Sequence, residues 1–80
     1  MTVNKAVAMR ICQLLSEKNM TQYRLAENSG ISHSRLGCIM KEKNKTVTLS
    51  TIMLLAEGFN MSLIDFLDSP LFDVNKLEIE

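Results

Sequence analysis

TQYRLAENSGISHSRLGCIM, residues Thr21 to Met40, decides the fold of this chain, because it reads as two short helices joined by a tight turn. Ala26 lies four residues before Gly30, and Leu36 and Ile39 follow at helical spacing. Ala26 has almost no side chain, so a second helix can cross close above it. Gly30 tolerates the positive φ that a sharp turn between helices needs. Ser32 offers a hydroxyl oxygen to the loose N–H groups of a helix beginning at His33.

Working outward, the apolar spacing predicts three more helices. Val3, Val7, Ile11 and Leu14, then Lys18, mark one face of a first helix from roughly Val3 to Lys18, with Cys12 beside Ala8 and Leu15 on its flank. Asn19-Met20 breaks that pattern, and Thr21 caps a second helix from Gln22 to about Asn28. The third runs from His33 to about Lys41 and leads into a polar loop, Glu42-Lys43-Asn44-Lys45-Thr46. Thr48 caps a fourth helix near Leu49 to Gly58, with Leu49, Ile52, Leu55, Ala56 and Phe59 facing inward. Asn60 suits the left-handed turn after it. Ser62, with Asp65 three positions on, makes a capping-box-like start for a short fifth helix, which ends before Pro70. Leu77 and Ile79 alternate with charged neighbours, so the tail reads as a short strand or a frayed end. The expected fold is therefore all-α: a compact five-helix domain over residues 1–69, with residues 70–80 as a C-terminal tail.

Composition agrees with one small folded unit. Eighty residues leave no space for a second core, and 46% apolar residues argue against disorder. With four aromatics, the core falls to Leu, Ile and Met. Lys5 and Arg10 interrupt any N-terminal apolar run, so no signal peptide is expected. No stretch approaches the ~20 apolar residues of a membrane span. The expected location is cytoplasmic, where Cys12 and Cys38 stay reduced. Formal neutrality hides a split. Residues 1–48 carry eight basic side chains against three acidic, a net of +5, and residues 49–80 carry one basic against six acidic, a net of −5. Such a division suits a chain that turns one face to phosphate, and equally a solvated surface with scattered charge.

Two helices about a glycine turn are the helix-turn-helix pattern, whose second helix enters the DNA major groove in known examples. Several linked signals extend the match: T-Q-x-x-L-A at Thr21–Ala26, G-I-S at Gly30–Ser32, and the Leu36/Ile39 pair. T-L-S-T-I at Thr48–Ile52 and L-A-x-x-F-x-M-S-L at Leu55–Leu63 complete the series. Together, over about residues 5–68, they resemble the phage Cro and phage repressor DNA-binding domains of the XRE type. The chain departs from that pattern in places. Family members often pair an Arg near Leu15 with a Glu near Met40, and both positions are apolar here, so a packed contact replaces an ion pair. The glycine common after the third helix is Glu42, and the Asn-Pro common before the fourth is Thr46-Val47.

The resemblance implies base reading at His33, Ser34 and Cys38, with Arg35 adjacent. Arg35 has the planar fork that matches guanine O6 and N7, and it can equally hold a phosphate. Gly37 leaves room for close approach but reads nothing. Phosphate contacts are expected at Gln22 and Ser32, at helix N-termini, and at Lys41, Lys43, Asn44 and Lys45 after the reading helix. Arg10 and Arg24 are weaker candidates that can serve only to solubilise their helices. His33 and Cys38 sit five apart and share no helical face well, so no metal site is expected. Ser34 beside His33 lacks an orienting carboxylate, so no catalytic set, no cofactor and no enzymatic activity are expected. Met53, Leu54 and Ile64 fall where polar side chains would be usual, and Leu71 and Phe72 follow Pro70. Leu54, Ile64, Leu71 and Phe72 are thus a candidate dimer interface, unless the tail folds back to cover them within one subunit. The expected function is a sequence-specific regulator of transcription, a small repressor of phage or mobile-element type. It would bind a palindromic operator in double-stranded DNA as a homodimer, without a small-molecule effector. The rival is an antitoxin-like, protein-binding module on the same fold.

Overall fold

Every α-helix begins at a hydroxyl side chain that takes up one of its loose N–H groups. The computed structural model describes residues 1–43 and 46–78. Its helices are α1 (Val3–Glu17), α2 (Gln22–Ser29), α3 (His33–Met40), α4 (Leu49–Gly58) and α5 (Leu63–Leu67), followed by a 3-10 turn at Pro70–Phe72. Thr2, Thr21, Ser32, Thr48 and Ser62 accept, at 3.0–3.2 Å, from the N–H three residues on. Each such cap contributes about 1 kcal/mol. Four of these five were legible in the sequence.

The helix ends are as regular. After α1, α3 and α4 the chain turns through a left-handed residue, Asn19, Glu42 and Asn60, at φ 52°, 59° and 57°. In each case the next N–H reaches back five residues: Met20 to the Leu15 carbonyl, Lys43 to Cys38 and Met61 to Ala56, at 2.9–3.0 Å. This is the Schellman closure, which satisfies otherwise unpaired carbonyls. Gly30, at φ 77°, closes α2 and gives the tight turn into α3. Asparagine reaches the left-handed region easily, whereas Glu42 does so against its side chain.

The core is built by Val7, Ile11 and Leu14 of α1, Leu25 and Ala26 of α2, Leu36 and Ile39 of α3, and Leu55, Phe59 and Phe66 beyond them. Leu15 and Met40, where the resembled family often has an ion pair, are half-buried against this core. The α2–α4 crossing depends on Gly58. A Cβ there would meet Leu25 Cδ1 at 2.8 Å and Ser29 Cβ at 2.9 Å, closer than real side chains approach.

Leu49 departs from expectation. Helical spacing turns it inward, but it is 59% exposed. It is the first residue of α4, and the close crossing with α2 lies at the other end, near Gly58. The start of the helix therefore leaves Leu49 outside the core, and among the expected inward residues Ile52, Leu55, Ala56 and Phe59 are buried.

The described part of the tail, residues 70–78, forms a 3-10 turn and a bridge. The Pro70–Phe72 turn packs against α1, and the Phe72 ring lies 6.3 Å from that of Phe66. The Met1 ammonium donates to the Lys76 carbonyl, and the Glu78 N–H donates to the Met1 carbonyl, both at 2.8 Å. Thr2 and Glu78 thus form an isolated parallel bridge, with Ile79 outside the described residues. Arg10 ties α1 to α5, its Nε and Nη2 donating to the Phe66 and Asp65 carbonyls at 2.7 and 2.9 Å. Its role is structural, since a cation beside helix-terminal carbonyls is favourably placed. Among the described residues, no helix is long and apolar enough to cross a membrane.

Candidate nucleic-acid interface

The face of α3 follows from which of its residues the core takes. Leu36 and Ile39 are buried and Met40 is half-buried, which turns His33, Ser34 and Cys38 outward, all exposed. Gly37 lies along the same helix with nothing within 4 Å of where a Cβ would stand, so this surface has space for close approach. Ser32 is spent on capping, its Oγ accepting from the Arg35 N–H.

Two polar residues of α3 are held by neighbours rather than free. His33 is drawn back toward α2. Its ring stacks on Tyr23 with centroids 4.6 Å apart and planes inclined by 27°, and its Nε2 lies 3.0 Å from Glu27 Oε2. Arg35 is drawn forward toward α4. Its Nη2 donates to Thr51 Oγ1 at 2.6 Å, beside a hollow of about 60 Å³ lined also by Cys38, Ile39, Thr46 and Val47. Thr51 is 2% exposed, and its hydroxyl also meets Thr48 Oγ1 at 3.0 Å. The guanidinium expected to reach for guanine is therefore engaged at the N-terminal end of α4. A cation beside that positive helix end is electrostatically unfavourable, and the bond to Thr51 offsets the cost.

Gln22, the first residue of α2, is exposed and its side chain bonds no described residue. Lys41 and Lys43 are exposed where α3 runs into the following loop. Asn44 and Lys45, the other two expected phosphate contacts, lie outside the described residues. Arg24 is exposed on α2, while Arg10 is committed to α5. Cys12 and Cys38 are free thiols on the surface.

Of the residues expected at a dimer interface, Ile64 is 79% exposed on α5. Leu54, Leu71 and Phe72 are half-buried, and Leu54 and Phe72 pack against the core. Met53 is half-exposed on α4, and Leu49 adds to the apolar surface there. The tail folds back onto α1 but leaves Ile64 uncovered. Sequence reasoning missed Tyr23, Glu27 and Thr51. Tyr23 and Glu27 are four apart on a helix, so their shared face was readable; that His33 would come beneath it was not.

Comparison with known proteins supplies an independent line. Residues 10–70 match the profile of the Cro/C1-type HTH DNA-binding domain. Among curated proteins, the chain is similar to control protein C.SmaI of Serratia marcescens, with 32% identity over 63 residues, covering 79% of this chain and 74% of that protein. No solved structure matches.

Proposed function

The chain belongs to the Cro/C1-type helix-turn-helix DNA-binding domain family and is a DNA-binding regulator of transcription, and from that premise we propose that it represses by occupying a palindromic operator as a dimer with α3 in the major groove. The observation that carries the reading is the outward face of α3, where His33, Ser34 and Cys38 stand exposed beyond a buried Leu36/Ile39 anchor. His33, Ser34 and Cys38 read bases, with Gly37 admitting the backbone to the groove. Gln22 at the start of α2 and Lys41 and Lys43 after α3 hold phosphates, joined by Asn44 and Lys45 from the same loop. Arg35, restrained by Thr51 at the N-terminus of α4, is better suited to a phosphate than to a base. The protein acts by binding rather than by catalysis.

Dimerisation fits the apolar surface of α4 and α5, centred on Ile64 with Met53 and Leu54, since grouped exposed apolar side chains mark interfaces. Leu71 and Phe72 contribute at its edge. A two-fold dimer sets two copies of α3 about 34 Å apart, one turn of DNA. The relative's printed name, a control protein, accords with a regulatory role.

Selection of bound duplexes from random sequence tests the whole reading. The expected product is two inverted half-sites about one helical turn apart, with affinity falling steeply as salt rises because phosphate contacts release counterions. Failure to enrich any sequence, or an affinity indifferent to salt, refutes it.

A further inference from the structure

Tyr23 and Glu27 form a pair that the core does not use. They sit four residues apart on α2, on one face of the helix. Both reach across the turn to His33, the first residue of α3, and all three are exposed: Tyr23 by 67%, the His33 and Glu27 side chains by 49% and 55%. So exposed a contact adds little to folding. Its effect is to hold an imidazole in one orientation at the start of the reading helix.

We propose that Glu27 is a positioning residue that decides which nitrogen of His33 carries the proton, and so which base group His33 recognises. The proposal rests on the placement of α3 in the major groove. An ionised carboxylate accepts hydrogen bonds and cannot donate, so the contact at 3.0 Å requires the proton on Nε2. In the neutral ring Nδ1 is then an acceptor, and it makes no hydrogen bond to the described residues. In the major groove an acceptor pairs with an exocyclic amine, N6 of adenine or N4 of cytosine. It is mismatched to guanine O6 and N7 and to thymine O4, which are themselves acceptors. Tyr23 completes the arrangement by covering one face of the imidazole and holding the plane of the ring, while the bond to Glu27 fixes which edge carries each nitrogen. His33 thus becomes a reader of amine-bearing bases through the side chains that hold it.

His33 is the sole histidine of the chain, so its ring nitrogens are unambiguous in ¹⁵N NMR. In the free, full-length protein in mildly alkaline buffer, the expected proton is on Nε2. Glu27→Gln replaces a pure acceptor with an amide that also donates, and should shift the population toward Nδ1. In selection from random DNA, Glu27→Gln should lose about tenfold of the discrimination between A or C and G or T at one symmetric position. Preferences elsewhere in the site stay unchanged. Tyr23→Phe, which keeps the stack, should retain the wild-type preference, and Tyr23→Ala should lose it. A proton on Nδ1 in the wild type, or unchanged discrimination in a Glu27→Gln protein that still selects sites, overturns the proposal. A wild-type protein that selects no site refutes the groove reading and the base assignment with it, while the free-protein spectrum still decides the role of Glu27.

Discussion

Replacing Gly58 by alanine adds one methyl group at the closest approach of two helices, and the structure sets the size of the effect. The new Cβ would lie 2.8 Å from Leu25 Cδ1, 2.9 Å from Ser29 Cβ and 3.3 Å from Ser29 Cα. None of these neighbours yields easily. Leu25 is fully buried, and Ser29 is 5% exposed at the end of α2. Ser29 also anchors the turn into α3: its Oγ donates to the Ala26 carbonyl at 3.3 Å and accepts from the Ile31 N–H at 3.2 Å. Separating the helices therefore strains the turn that sets α3 on α2. Overpacking of this kind costs about 1–3 kcal/mol. Alanine's helix propensity returns up to about 1 kcal/mol in a helix interior, and less at Gly58, the last residue of α4. The expected net loss is about 1–2 kcal/mol. At about 4–8 °C per kcal/mol for a domain this small, Tm falls by roughly 4–16 °C. Gly37→Ala is the control. Nothing lies within 4 Å of its Cβ position, so propensity acts alone and stability rises by about 0.5–1 kcal/mol. Thermal and urea denaturation followed by circular dichroism reads both variants. A Gly58→Ala protein as stable as the wild type would show that the tight α2–α4 contact does not constrain the fold.

Other perturbations separate structural from recognition roles. Glu42→Gly should stabilise the domain by about 1 kcal/mol in the same denaturation assay, because glycine takes the left-handed φ of 59° without side-chain strain; a loss of stability would refute strain at that turn. Arg35→Ala should weaken binding to all sequences alike if the side chain holds a phosphate, whereas loss of preference at one base pair would make it a reader. Thr51→Val removes the acceptor that restrains Arg35 and leaves Thr48 without its buried partner, at a cost of about 1–2 kcal/mol by urea titration; unchanged stability would show that the α3–α4 bridge is idle. Ile64→Glu should turn a dimer into a folded monomer in sedimentation equilibrium, and an unchanged mass would exclude that face from the interface.

The scaffold was legible in the sequence because its requirements are local. Thr21, Ser32, Thr48 and Ser62 cap helices whose N–H donors lie only three residues away, and Gly30 and Asn60 take the left-handed conformations that their small or short side chains permit. The periodic stripes fell in place wherever another helix covers them, and Leu49 departed because none does. Gly58 was silent for the opposite reason. Its importance is a distance to Leu25 and Ser29, more than 25 positions away in the chain, and no local pattern records a close crossing. The parallel bridge of Thr2 with Glu78 joins the two ends and was equally invisible to any window along the chain.

The same distinction explains why the reading face looked sparser in the sequence than it is in space. Taken one by one, His33, Ser34 and Cys38 offer few strong hydrogen-bonding forks, and Arg35 seemed to be the exception. In the folded chain the two strongest polar groups at the start of α3 are both restrained, His33 by Tyr23 and Glu27 behind it and Arg35 by Thr51 ahead of it. Restraint lowers the entropy lost when these side chains meet a ligand, about 0.5–1.5 kcal/mol for each one immobilised in advance. A face with few contacts gains selectivity when those contacts are already oriented, because a mismatched base then meets a group that cannot turn away from it. On the proposed reading, α2 and α4 do more than support the helix between them: Glu27 and Thr51 orient the side chains that its first residues present.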